Sequence, residues 1–164
     1  MKLFFILVLM INTTYAATMN MKINFNASTN VPGMNISGEA LQEISGNIEL
    51  TDKKINKVNV SFESTSLTTG MQLRDEHLHK MLKKSKLEFI NTSECLFEDS
   101  KCEMEGTFSI AYKKIKSKFL ITREGETLLC SIIIKLSDLF LKKPSFAGVS
   151  VNDEVNVTIE GTVK

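Results

Sequence analysis

Met34, Ile36, Gly38, Ala40, Gln42, Ile44, Gly46, Ile48 and Leu50 hold the even positions of one stretch of the chain. Asn35, Ser37, Glu39, Leu41, Glu43, Ser45, Asn47 and Glu49 hold the odd ones. The first set is largely apolar or small, the second largely polar. A period of two belongs to half-buried β-strands, whose side chains alternate between core and solvent. Gly38 and Gly46 would let one long strand bend sharply, or the stretch divides in two. The alternation recurs in Val58, Val60 and Phe62, and in Met104, Gly106, Phe108, Ile110 and Tyr112. It returns in Ile132, Ile134 and Leu136, and in Val155, Val157, Ile159 and Val163. Turn-forming residues separate the runs at 31–33, 51–54, 123–126 and 151–153. The pattern predicts an all-β domain of about eight strands.

One segment departs from it. Leu73 to Lys84 contains good helix formers and neither Gly nor Pro. Leu78, Met81 and Leu82 share one helical face, and Glu76 and Lys80 have the spacing of a favourable i,i+4 pair. Thr69-Gly70 would start this helix. Antiparallel strands interrupted by one short helix fit a barrel or a sandwich, and periodicity does not choose between them.

The N-terminus predicts export. Met1-Lys2 precedes an unbroken apolar run from Leu3 to Ile11, and Thr14 and Ala16 supply the small residues of a signal-peptidase site. The run is much shorter than the roughly 20 residues of a membrane-spanning helix. Residues 1–16 are expected to be a cleaved signal peptide, and 17–164 a single exported domain.

Charge narrows the partners. Twenty Lys and Arg face 19 Asp and Glu, and Lys2 would leave with the signal, so the domain is close to neutral. Nucleic-acid binding, which needs a basic footprint, is not expected. Two lysine clusters stand out, at 83–86 and 113–118. Lys114, Lys116 and Lys118 alternate with Ile115, Ser117 and Phe119 as on the outer face of a strand. Such faces are either simply solvated or suited to anionic headgroups.

Cys95 and Cys102 bracket a polar turn, and a four-residue loop at 97–100 would set them opposite each other in a hairpin. An oxidising compartment would then allow a disulfide. Cys130 shares a strand face with Leu128, Ile132 and Ile134 and reads as a buried, inert thiol. Motifs for catalysis are missing: no Gly-x-Ser-x-Gly, no phosphate-binding loop, no His-Glu-x-x-His, no Cys-x-x-Cys. His77 and His79 would point to opposite sides of a helix, and Asp75 with His79 does not make a closed metal site. The reading is therefore non-catalytic, with no cofactor and no metal. Asn26, Asn35, Asn59, Asn91 and Asn156 begin Asn-x-Ser/Thr triplets, which chance produces readily in so Asn-rich a chain.

A closed barrel of about eight strands either fills its interior or holds one small ligand. The inward positions mix Ile, Val and Phe with Gly and Ala and lack Trp. That lining suits a flexible apolar chain, and a filled core is the competing arrangement.

Ser66-Leu67-Thr68-Thr69-Gly70-Met71-Gln72-Leu73-Arg74-Asp75-Glu76-His77-Leu78 closely resembles the most specific motif of the YceI-like family of bacterial periplasmic proteins. Lys135 to Asp138, Lys143 to Ser145 and Gly148 to Val155 resemble that family's last strands, and Val31-Pro32-Gly33 and Ile44-Ser45-Gly46 its opening ones. The resemblance implies an extended, eight-stranded, lipocalin-like antiparallel barrel with a tunnel for isoprenoids or other long-chain amphiphiles. On inward positions the tunnel would be lined by Phe25, Ile36, Ala40, Ile48, Val60, Phe62, Phe108, Ile110, Ile132, Ile134, Val157 and Ile159. Arg74, Asp75 and His77 occupy the motif. They would either place a headgroup at the mouth or fix the helix through buried hydrogen bonds and an Arg–carboxylate pair. The chain departs from the family's pattern at Ser85 to Phe89, where a Tyr-Pro is common, and at Phe140, where Gly is common. Both differences fall on loops around the pocket and bear on which ligand is bound.

Two functions compete. One is a periplasmic carrier holding an isoprenoid or fatty-chain lipid. The other is a secreted structural or stress-response barrel with a filled core, which meets a protein partner through Leu139 to Leu141. That apolar tip, collared by Lys142 and Lys143, would alternatively pack on the barrel or dip transiently into a membrane. Monomer and homodimer both stay open.

Overall fold

The structure, a computed structural model, describes residues 15–139, 141–146 and 148–163. The expected signal run therefore lies outside the described residues, as does Phe140. Tyr15 and Ala16, at the expected cut, are described and form the first pairs of β1.

The alternating runs become β1 (Tyr15–Thr29), β2 (Asn35–Ala40), β3 (Ile44–Leu50) and β4 (Lys54–Glu63). A 3₁₀ turn and the short β5 (Leu67–Thr68) lead into α1 (Gln72–Met81). β6 (Lys86–Asn91), β7 (Cys95–Leu96), β8 (Lys101–Ile110) and β9 (Lys113–Glu124) follow. β10 (Thr127–Lys135), β11 (Ser145–Phe146) and β12 (Val149–Val163) complete the chain. Strands β1, β3, β4, β6, β8, β9, β10 and β12 pair antiparallel in that order, and β12 returns to β1, closing an eight-stranded barrel. Closure leaves no sheet edges along the main circuit.

The 34–50 run divides at Leu41–Glu43. β3 pairs with the first half of β1, whereas β2 pairs with its second half and then with β5. The backbone N–H of Leu41 donates to the Ser66 carbonyl at 2.8 Å, fixing the crossover. Two expected boundaries are corrected. Residues 151–153 lie inside β12, where the Asn152 amide donates to Ser28 Oγ at 2.9 Å instead of forming a turn. Tyr112 does not share the inner face of β8, because that strand ends at Ile110 and Ala111 takes a left-handed φ of +51°.

The two ends of the barrel are built differently. At the end holding residues 51–54 and 123–127, Met21, Ile48, Leu50, Ile55 and Met104 are almost wholly buried and fill the interior. The disulfide joining Cys95 to Cys102, with Cα atoms 5.6 Å apart, sits in this packed half. Its setting is not the expected hairpin. The turn is only Asp99-Ser100, both in the left-handed region, flanked by a Glu98–Lys101 bridge. β7 leaves β8 and pairs with β4 instead, Cys95 facing Ile55. Asn91 closes the gap where β4 passes from β6 to β7. Its Oδ1 accepts from the Val58 N–H at 2.8 Å, and its Nδ2 donates to the carbonyls of Asn56 and Ser93, each at 2.9 Å. Cys130 points inward, and burial pushes its thiol up to about 12, so it stays protonated at neutral pH.

Candidate ligand-binding site

The other end is hollow. Here β2, β5 and α1 splay from the circuit and enclose an apolar cavity of about 580 Å³. Ligand pockets commonly span about 300–1,000 Å³, so the volume fits one small ligand. Ile23, Val60, Phe119 and Ile132 form its floor and belong to the packed half as well. Phe25, Phe62, Phe108, Ile134 and Val157 line the wall, and Leu78 and Met81 of α1, with Leu82 just beyond its end, roof it. Phe89 lies against Gly106, where a Cβ would collide with its ring. The ring stacks at a tilt on Phe119 with centroids 4.1 Å apart, so the absent side chain at 106 sets the width of the floor.

Of the residues expected to line a tunnel, Phe25, Ile36, Val60, Phe62, Phe108, Ile110, Ile132, Ile134, Val157 and Ile159 surround this cavity. Ala40 and Ile48 do not. Ile48 is 1 % exposed within the packed half, and Ala40 sits at the end of β2, against both core clusters. Pattern alone cannot separate them, because inward residues alternate identically in filled and hollow halves.

Leu139 and Leu141 also line the cavity, and Leu139 is only 3 % exposed. Of the arrangements expected for this segment, these two leucines thus take the one packed on the barrel and do not project as a tip. The cause is a tether: the Asp153 carboxylate accepts from the Ser137 hydroxyl at 2.5 Å and from its N–H at 3.0 Å, drawing the 136–139 turn inward. Those Ser137 bonds, aided by Lys143 and Lys135, hold Asp153 below the ordinary carboxylate range. Sequence reasoning missed Met34, Met71 and Leu73, which line the mouth and remain about half exposed. Their signal was three apolar residues at positions that turn and helix chemistry would normally fill with polar ones.

The helix motif divides its work. α1 buries no residue completely, so apolar packing alone holds it weakly. Asp75 supplies the clasp: its carboxylate accepts from the Thr68 hydroxyl, the Thr69 hydroxyl and the Thr69 N–H, each at 2.6 Å. His79 Nε2 donates to the Leu67 carbonyl at 2.7 Å. Burial would raise the pKa of Asp75, but the three bonds and the nearby His79 outweigh it and leave the group below its ordinary value. A depressed carboxylate stabilises the fold above its unfolded pKa and loses that contribution as pH falls through the folded one. Asp75→Ala should accordingly speed hydrogen exchange of the α1 amides about tenfold at pH 7, the worth of one charge-assisted bond of about 1.5 kcal/mol. The wild-type helix should approach the same rate only below the usual Asp range; equal protection in both proteins at pH 7 would refute the clasp.

Among the described residues Arg74 forms no carboxylate pair, which corrects that expectation. Its Nη2 donates to the Thr69 carbonyl at 3.2 Å, and its Nε is buried with no hydrogen-bond partner among the described residues. Both Arg74 and His77 line the cavity, whereas Asp75 does not. An unmatched buried donor beside an apolar cavity is where a ligand oxygen would be accepted.

A closed barrel with one helix roofing an internal apolar cavity defines the molecule as a hollow β-barrel. The chain belongs to the YceI-like family, whose domain model matches residues 15–163. It resembles the crystal structure of Burkholderia cenocepacia BcnA, with a TM-score of 0.65 and 12% identity over 87% of this chain and 96% of that one. It also resembles the Campylobacter jejuni YCEI protein, with a TM-score of 0.64 and 22% identity over 82% of this chain and 88% of that one. A mutant of the latter, solved with a monobromobimane guest, aligns with the same TM-score of 0.64. No curated protein sequence matches the chain.

Proposed function

We propose that this protein is a non-catalytic carrier, exported to the periplasm or beyond, that encloses an isoprenoid or other long-chain amphiphile. The observation that carries this reading is the pairing of an apolar cavity with the partnerless Nε of Arg74. The apolar part of the ligand lies among Phe25, Phe62, Phe108, Ile134 and Val157, and an oxygen of its headgroup accepts from Arg74. Binding draws on burial, about 0.8 kcal/mol per methylene, so ten carbons contribute roughly 8 kcal/mol before ordering costs. The competing reading, a filled barrel acting through a protein partner, lacks the packed interior it requires at this end.

Native mass spectrometry of protein purified without detergent tests the proposal. A discrete adduct of lipid mass, removed by organic extraction, is the expected result. A bare polypeptide that stays bare after incubation with isoprenoid and fatty-chain lipids would overturn it. Arg74→Met should weaken retention of an oxygen-headed chain about tenfold and leave retention of a plain hydrocarbon unchanged.

A further inference from the structure

The two lysine clusters, far apart in sequence, meet at the hollow end of the barrel. Leu87 pairs with Ile110, so the C-terminal end of α1 and the β8–β9 turn lie side by side. Tyr112, at the tip of that turn, is 90 % exposed, and Lys83 Nζ lies 5.4 Å from the centre of its ring. Lys80, Lys83 and Lys84 form one shallow surface with His79 and the single carboxylate of Glu76. Lys114 and Lys116 continue the strip down the outer face of β9, opposite the uncharged Ser109 and Thr107. Among the described residues, no ion pair engages Lys80, Lys83, Lys84, Lys114 or Lys116. By contrast, Lys118 reaches Glu103 at 2.9 Å and Lys54 reaches Glu94 at 2.9 Å.

The backbone here is strained as well. α1 ends in a turn where Lys83 N–H donates to Lys80 and Lys84 N–H to His79, an arrangement that ordinarily places glycine after the helix. This chain instead sets Lys83 and Lys84 at φ +56° and +48°, and Ala111 beside them at +51°. These left-handed residues shape the two turns that present the basic strip to solvent. Charge on the protein as a whole does not explain it, since the chain is nearly neutral.

We infer that this strip is a docking face for an anionic bilayer, which sets the hollow end of the barrel against the membrane. The lysines meet lipid phosphates, and Tyr112 enters the headgroup layer, where an aromatic ring with a polar tip is favoured. The exposed Met71 and Leu73 at the mouth face the same layer. The docking face goes beyond cargo binding and does not depend on it, because its lysines and Tyr112 lie outside the cavity.

Sedimentation of the full protein with vesicles, without added cargo, tests this. Binding to vesicles of phosphatidylcholine with 30 % phosphatidylglycerol, roughly a physiological anionic load, is expected at low salt. It should be lost in pure phosphatidylcholine or in about 0.5 M salt, where screening is strong. Lys83→Glu/Lys114→Glu/Lys116→Glu should reduce partitioning about a hundredfold or more, at roughly fivefold per lysine lost. Lys53→Glu/Lys101→Glu, at the packed end, should leave it unchanged. The chain has no tryptophan, so Tyr112→Trp supplies a sole indole reporter. Its emission should shift to the blue on anionic vesicles. Absent binding, equal binding by the triple variant, or an indole that stays in water while the protein binds would each overturn the docking face. None of these results would alter lipid retention measured by mass, so the two proposals fail separately.

Discussion

Val157→Trp should abolish retention of a long-chain ligand while leaving the barrel folded. Val157 stands in β12 between Phe25 of β1 and Ile132 of β10, half-way down the cavity wall. It is only partly buried because it looks into the hollow, so a larger side chain there meets space before it meets neighbours. An indole occupying that space keeps part of the chain in water. Excluding four methylenes costs about 3 kcal/mol, roughly a two-hundredfold loss of affinity. Ile133→Trp is the matched control: that residue lies one strand away, points outward and is 56 % exposed. Ligand mass retained after gel filtration, with thermal unfolding as the check on folding, reads both variants. Full retention in a folded Val157→Trp protein would mean that the chain does not lie in this cavity.

Asn91→Ala should be the most destabilising single change outside the apolar core. One side chain there serves three backbone groups, and its removal strands the Val58 N–H and the carbonyls of Asn56 and Ser93. At about 1 kcal/mol for each lost bond the expected cost is about 3 kcal/mol. For a chain of this size that corresponds to a fall in Tm of roughly 6–12 °C. Asn91→Asp separates the roles of the two amide atoms. It keeps an acceptor for Val58 but sets a carboxylate against two carbonyls, so it should be as unstable as the alanine variant at pH 7. Acidification protonates the carboxyl and returns one donor, which should recover part of the loss. An unchanged Tm in Asn91→Ala would show that water satisfies all three groups.

The strand pattern and the single helix were legible because alternation and helical spacing are local properties. Closure into a barrel was not, since the same alternation fits a sandwich, and only the family resemblance, strongest in Ser66 to Leu78, chose between them. The site was legible in kind but not in depth. Ile36 and Ile48 look alike in sequence, both apolar at even positions, yet one lines the cavity and the other is packed solid. What separates them is where β2 leaves the circuit, a tertiary choice sealed by the Leu41–Ser66 bond. Asn91 reads as nothing more than the start of an Asn-Thr-Ser triplet, because its three partners lie on other strands or beyond the next residue. Arg74 was found by its motif, but its unmatched Nε is visible only when every neighbour is in place.

The division of the barrel into a filled half and a hollow half separates two kinds of evolutionary freedom. Substitutions around Met21, Ile55 and Met104 must respect close packing on all sides, and most will lower stability. Residues such as Val157 or Ile134 border open volume, where a change of size alters the shape of the hollow before it strains the fold. The stapled half therefore acts as a fixed foundation on which the opposite end drifts, and a lineage built this way reshapes its hollow without first having to solve folding again.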